Sequence, residues 1–391
     1  MKKRFVNVLA LALAVAVCAT GCGGFKTAKA AIEYVGDGVA NIEASAEASA
    51  LAQAQQIVME DLTEPAFEEA SASASTSTVT KEEEVTETQE DQTVVVFFGD
   101  SQFANGRNDG SDLPNLISLQ VPNSKFYNLA IGGTTAAVEL STDNIDPASL
   151  TSNSFVGMTY ALAGTADRNK VLADYPNVLD KMNQVDPKTV DIYVIEYGAN
   201  DFFSKIPLDA TIYDDNYLHT YYGGLMTGVE TLKRISPNAK IVLVTPFYGI
   251  YYDANGGYIG DSYIVSNGID TLANYARKAS NVIQSEELYD YDTMFQSHCD
   301  LYVDHADKYL EDGVHLTLLG RQVFARLFAH LINFMEGYAP YAFLEQDYIY
   351  IDQFDPNEDY RVPAHIMKEY YPEAYEKVQN GEYLAVPPYE E

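Results

Sequence analysis

Basic residues, cysteines and long apolar runs are all scarce in this 391-residue chain, and each scarcity removes a class of protein. Lysine and arginine number 24 against 57 acids, for a net charge of −33, and the one basic cluster is Lys2-Lys3-Arg4. A nucleic acid needs a cationic stripe to bind against, so it is not an expected partner. Cysteine occurs three times, at Cys18, Cys22 and Cys299. That is too few for a disulfide framework, so stability must rest on a buried core, of which Cys299 reads as a small apolar member. Beyond residue 22 no stretch is apolar enough to span a bilayer. The motifs HExxH, CxxC, GxxxxGK and GxGxxG are missing, which argues against zinc-peptidase, dithiol and nucleotide chemistry. Missing too is the Gly-x-Ser-x-Gly elbow of α/β-hydrolases.

What is present begins with an address. Lys2-Lys3-Arg4 followed by the apolar run 5–17 has the order of a secretory leader. Ala19-Thr20-Gly21-Cys22 resembles the lipobox of bacterial lipoproteins, with Ala19 where that family more often has Leu. The resemblance implies a signal peptide over residues 1–21 and a lipid on Cys22. The mature chain would then be held at the outer face of the bacterial cytoplasmic membrane by its lipid alone. With the leader removed, Cys299 has no thiol to pair with. Residues 22–92 are dominated by Ala, Ser, Thr and Glu, with 15 acids against Lys26, Lys29 and Lys81. Such a stretch buries too little apolar surface to offset its ordering entropy, and reads as a self-repelling, disordered spacer.

Folded structure is expected over 93–339. Residues 94–98 (Val-Val-Val-Phe-Phe) read as a strand buried on both faces, broken by Gly99-Asp100. Further strands are expected at 125–131, 190–197 and 239–244, with a short fifth near 287–291. Helices are expected at 113–119, 157–164, 178–185, 217–235, 269–282 and 317–336, the last capped by Thr317 and stopped by Gly337. Strands alternating with helices indicate an α/β fold, a three-layer αβα sandwich on a mainly parallel sheet of about five strands. The Tyr-, Pro- and acid-rich tail 340–391 reads as an irregular extension packed on the domain.

Three strand ends carry polar or glycine residues: Ser101, Gly132-Gly133 and Asn200. A fourth element, Asp312-Gly313-Val314-His315, precedes the last helix. In a parallel sheet all strand C-termini open on one edge, so these groups can converge. A serine hydroxyl becomes a useful nucleophile when a base such as His315 takes its proton. A carboxylate three residues earlier, Asp312, can orient the imidazole and stabilise its charge. The backbone N–H groups of Gly133 and Ser101 and the Asn200 amide are suitable donors to a tetrahedral oxyanion, with Gly132 a nearby alternative. Of the six histidines only His315 has an aspartate three residues before it. A second Gly260-Asp261-Ser262 follows no buried strand and reads as a loop. Asp100 and Asp201 read as loop ties.

These blocks, Gly99-Asp100-Ser101-Gln102, Asn128 to Thr135, Gly198-Ala199-Asn200-Asp201 and Asp312 to His315, together resemble the SGNH hydrolase (GDSL esterase/lipase) superfamily. The resemblance covers the domain but neither spacer nor tail. It implies a serine esterase without metal or cofactor, with Ser101 as nucleophile, His315 as base, Asp312 as its orienting acid, and Ser101, Gly133 and Asn200 as the oxyanion hole. The blocks do not choose a substrate. The Tyr-rich segment from Phe247 through Tyr251, Tyr252, Tyr258 and Tyr263 leaves the sheet at the same edge, where rings can stack on sugars. With the surface address, this favours a short acyl ester, an O-acetyl group, on a carbohydrate or cell-wall glycan. The alternatives are O-acyl transfer to a glycan hydroxyl, lysophospholipid or lipid ester hydrolysis, and a surface binding protein on an inactive scaffold.

Overall fold

The computed structural model describes residues 92–210 and 216–390. The leader, Cys22 and all but the last residue of the expected spacer lie outside the described residues.

β1 (Thr93–Gly99) is an interior strand of the sheet, and its burial shows why its sequence does not alternate. Val95 to Phe98 have no solvent exposure, because helices cover both faces of the strand. Phe97 packs edge-on against Phe103, which meets Phe328, whereas Phe98 packs against Phe155 and Tyr193. Successive side chains on a strand point to opposite faces, so these two contacts mark two different helical layers. β2 (Ser124–Asn128), β3 (Ile192–Glu196), β4 (Lys240–Val244) and, after a hairpin of β5 (Ile250–Tyr252) and β6 (Tyr258–Asp261), β7 (Tyr289–Tyr291) complete the strands. The main sheet runs β2-β1-β3-β4-β7 with every pair parallel, while β5 and β6 pair antiparallel by themselves. Val95 sits between Phe126 and Ile192, so the strand order turns back at β1 and β3. Crevices at the carboxyl ends of strands open at such a reversal.

The helices in chain order are α1 (Ser101–Ala104), α2 (Leu113–Ser118), α3 (Phe155–Leu162), α4 (Arg168–Val171), α5 (Pro176–Met182), α6 (Ala199–Phe203) and α7 (Tyr221–Ile235). They continue with α8 (Leu272–Glu286), α9 (Ala306–Tyr309), α10 (Leu318–Met335), α11 (Tyr341–Gln346), α12 (Ala364–Tyr370) and α13 (Pro372–Gln379). α2 lies against α10 on one side of the sheet, and α7 lies against both α3 and α8 on the other. The architecture is the expected αβα sandwich. α10 starts where Thr317 Oγ1 accepts the Gly320 amide at 3.0 Å, and the left-handed Gly337 (φ 69°) follows its end.

Four local readings change. The helix expected over 217–235 is interrupted at Thr220, which adopts extended backbone and caps α7 by accepting the Gly223 amide at 3.1 Å. The helix expected from 269 begins at Leu272, because the Asn267 side chain takes the Ile269 and Asp270 amides into a turn. Gly260 and Asp261 end a strand instead of sitting in a loop. Ser262 is buried, with its Oγ accepting the Gly249 amide at 2.8 Å. The tail is not irregular: α12 and α13 enclose a small core of Phe343, Val362, Met367, Val378 and Val386. Cys299 is a buried free thiol whose backbone forms an isolated parallel β-bridge with Ile349, and burial pushes the thiol's ionisation up.

Candidate active site

β1 ends at Gly99 because nothing larger fits. A Cβ there would lie 2.7 Å from the Phe103 ring and 3.0 Å from the Glu196 carbonyl. Asp100 then caps α1 by accepting the Gln102 amide at 3.0 Å, which puts Ser101 at the first position of the helix, just past the strand end. The Ser101 hydroxyl meets His315 Nε2 at 2.9 Å. On the other side of the ring, His315 Nδ1 meets Asp312 Oδ2 at 2.6 Å.

The Asp312 loop is built to hold that ring. Asp312 Oδ1 accepts the amides of Val314 and His315 at 2.9 and 2.8 Å, and Glu311 N donates to the His315 carbonyl at 2.9 Å. Gly313 between them has φ 88°, where an L side chain is strained, and its carbonyl accepts the Ile250 amide of β5 at 2.8 Å. Partial burial pushes the Asp312 carboxyl up, but the His315 and Val314 amides and the imidazole pull it further down. The net result is below the usual range. It is therefore an anion wherever the imidazole needs one.

Gln102 is a residue to which the sequence reading gave no separate role. Its buried side chain donates to the Val314 carbonyl at 2.7 Å and accepts the Leu316 amide at 3.4 Å. One side chain thus ties the serine helix to the histidine loop, across 214 residues of sequence.

The oxyanion candidates surround the serine. A Cβ on Gly132 would lie 3.7 Å from Ser101 Cβ, so the glycine turn is beside the nucleophile. Gly133 follows with a left-handed backbone (φ 79°) and nothing within 4 Å of where its side chain would be. Asn200 lies in the first turn of α6, after Gly198 (φ 135°), whose Cβ would strike Pro246 and the Tyr221 hydroxyl. Asn200 Nδ2 donates to Asp100 Oδ2 at 2.9 Å. Asp201 next to it is buried and accepts the Ala136 and Ala137 amides at 2.9 and 3.1 Å, fastening the segment after the glycine turn to α6. Burial pushes its carboxyl up to about 7 against the pull of those amides. The structure thus brings Ser101, His315, Asp312, Asn200 and the Gly132-Gly133 turn to one sheet edge.

The Tyr-rich segment divides. Phe247 and Tyr248 are core, and Tyr263 is half-buried with its hydroxyl on the Met294 carbonyl at 2.7 Å. Tyr252 and Tyr258, on β5 and β6, stay about half exposed with ring centroids 6.3 Å apart, and Tyr252 touches the Gly313 turn.

No curated protein sequence matches the chain. Among solved structures, the chain is similar to a possible lipase from Chitinophaga pinensis (16% identity, 63% of this chain, 99% of that one, TM-score 0.41). It is also similar to a carbohydrate acetylesterase from Sinorhizobium meliloti (13% identity, 62% and 100%, TM-score 0.38). A third is a lipolytic G-D-S-L family protein from Veillonella parvula (14% identity, 62% and 98%, TM-score 0.37). Residues 95–328 match the family described as GDSL-like Lipase/Acylhydrolase, a span holding every block of the site. The chain belongs to that family, within the SGNH hydrolases, and is a serine hydrolase.

Proposed function

We propose that this protein is an extracellular esterase that removes short acyl groups, O-acetyl above all, from a carbohydrate or cell-wall glycan through an acyl-serine intermediate. The observation that carries the reading is the unbroken relay Ser101–His315–Asp312, at 2.9 and 2.6 Å. His315 Nε2 takes the Ser101 proton as Oγ attacks the ester carbonyl, and the imidazolium so formed is stabilised by the Asp312 anion. The carbonyl oxygen becomes an oxyanion, held by the Ser101 and Gly133 N–H groups and the Asn200 amide. Collapse breaks the bond to the sugar oxygen, which leaves with the proton from Nε2. Water then repeats the sequence: His315 removes its proton, the acyl-serine is cleaved, and the carboxylic acid departs while Ser101 regains its hydrogen.

The carbohydrate part of the reading is supported by two exposed tyrosines next to the histidine loop, an arrangement suited to stacking on a sugar face. The tether implied by the first 22 residues places the enzyme where glycans are its surroundings. Release of acetate from an O-acetylated polysaccharide is the test. The wild-type protein should release it and S101A should not, at equal melting temperature. Y252A should raise KM on the polysaccharide several-fold and leave p-nitrophenyl acetate turnover unchanged. Faster hydrolysis of long-chain acyl esters than of acetyl esters would contradict the proposal.

A further inference from the structure

Acyl transfer as described leaves one fully buried acid without employment. Glu196 ends β3 beside Gly99 in the sheet register and has no solvent exposure. Neither carboxyl oxygen receives a hydrogen bond. An ionised carboxylate in that position, unpaired and dry, is far too costly to persist. Burial, reinforced by the facing charge of Asp100, accordingly raises the Glu196 carboxyl well above the usual range. As a neutral acid it does have a partner, because its O–H can donate to Asp100, against which it packs. The other groups around the pair are Asp201 and the hydroxyls of Tyr197 and Tyr221, both raised well above their usual range by burial, and the His315 imidazole, whose charge when protonated bears on Asp100.

Each oxygen of Asp100 already accepts one hydrogen bond and keeps a further lone pair for a second donor. One oxygen holds the Gln102 amide at 3.0 Å and the other holds Asn200 Nδ2 at 2.9 Å. A side-chain amide nitrogen carries two hydrogens. Whichever one goes to Asp100, the second is then fixed in direction. We infer that Glu196 is a positioning residue: its carboxylic acid donates to Asp100, and Asp100, held in this way, fixes the Asn200 amide with its second hydrogen directed at the oxyanion. The shared proton does a second thing. A bare Asp100 carboxylate one amide away from the reacting oxygen would oppose the negative charge that develops there, and a donated proton spreads that charge over two carboxyls. This inference rests on Asn200 acting as an oxyanion donor.

The experiment is a double-mutant cycle on p-nitrophenyl acetate in the full chain, with melting temperatures recorded. N200A should lower kcat by roughly 10²- to 10³-fold. E196L should lower kcat by roughly 10- to 100-fold with KM within about twofold, because it misaims a donor used in the transition state. E196Q, which keeps a donor toward Asp100, should stay within about threefold of wild type. In the N200A background E196L should cost less than about threefold, since the group it orients has gone. If E196L does not fold, E196M takes its place in the cycle. Wild-type kcat in E196L, an E196Q loss as large as that of E196L, or an E196L loss equally large in both backgrounds each overturns the inference while leaving the oxyanion reading intact. Wild-type kcat in N200A overturns the oxyanion reading itself.

Discussion

Replacing Asp312 by asparagine changes one atom and puts the relay to a quantitative test. Asp312 Oδ1 is already held by two backbone amides at 2.9 and 2.8 Å, and Oδ2 by the imidazole at 2.6 Å. Asparagine has one oxygen for these two places. If it faced the imidazole, the NH2 group would set donor against donor at the two backbone amides and give up both of their hydrogen bonds. The oxygen therefore stays on the amides and the NH2 faces His315 Nδ1. The ring can meet a donor there only by accepting, which moves its proton to Nε2. Nε2–H then points at Ser101, where a lone pair is needed. The nucleophile loses its base while the geometry survives, and turnover should fall about 10⁴-fold. At 1.36 kcal/mol per tenfold this is about 5.5 kcal/mol in the barrier. Steady-state kinetics on p-nitrophenyl acetate at neutral pH measure it, with circular dichroism to show the fold unchanged. A D312N protein within tenfold of wild type would refute the tautomer argument.

Two further perturbations probe the scaffold under the site. Asp201 titrates at about 7 in the folded protein because of burial, with two amides opposing. Between about pH 4 and 7 the folded state therefore keeps a proton that the unfolded chain has released, and stability falls as pH rises through that window. The slope of this contribution approaches about 1.4 kcal/mol per unit and vanishes above the folded pKa. Urea unfolding of D201N should show a shallower pH dependence by about that amount, and an identical slope would exclude the assignment. G198A places a methyl group 2.5 Å from Pro246 Cγ on a backbone with φ 135°. Strain and overpacking together should cost roughly 2–5 kcal/mol in chemical denaturation, and a loss below 1 kcal/mol would contradict the close packing.

How much of this was written plainly in the chain depends on the range of the interactions involved. β1 was legible because burial on both faces leaves an unbroken Val/Phe run. Ser101, Gly132-Gly133 and Asn200 were legible because each follows a strand end and a parallel sheet gathers its strand ends, while Asp312 and His315 were legible from their spacing just before the last helix. Glu196 was not. It occupies the last position of β3, after four apolar residues, and a lone acid at a strand end reads as a solvent-facing side chain. Only the register beside Gly99 shows that it points into a dry interior. Gln102 was quoted as part of a block, but its bonds to Val314 and Leu316 are set by tertiary placement. The β5–β6 hairpin was hidden for a different reason: tyrosines fill its core and surface positions alike, so no alternation marks it. The tail helices were masked by a Tyr- and Pro-rich composition, although Pro372 at a first helical turn is a start signal.

The central claim is that Ser101 is activated by His315. Its most direct measurement is covalent: the purified protein is treated with a fluorophosphonate probe and the labelled residue is mapped by mass spectrometry. Label confined to Ser101, and lost in H315A, is the predicted result. An unlabelled Ser101 in a protein that still turns over p-nitrophenyl acetate would contradict the account.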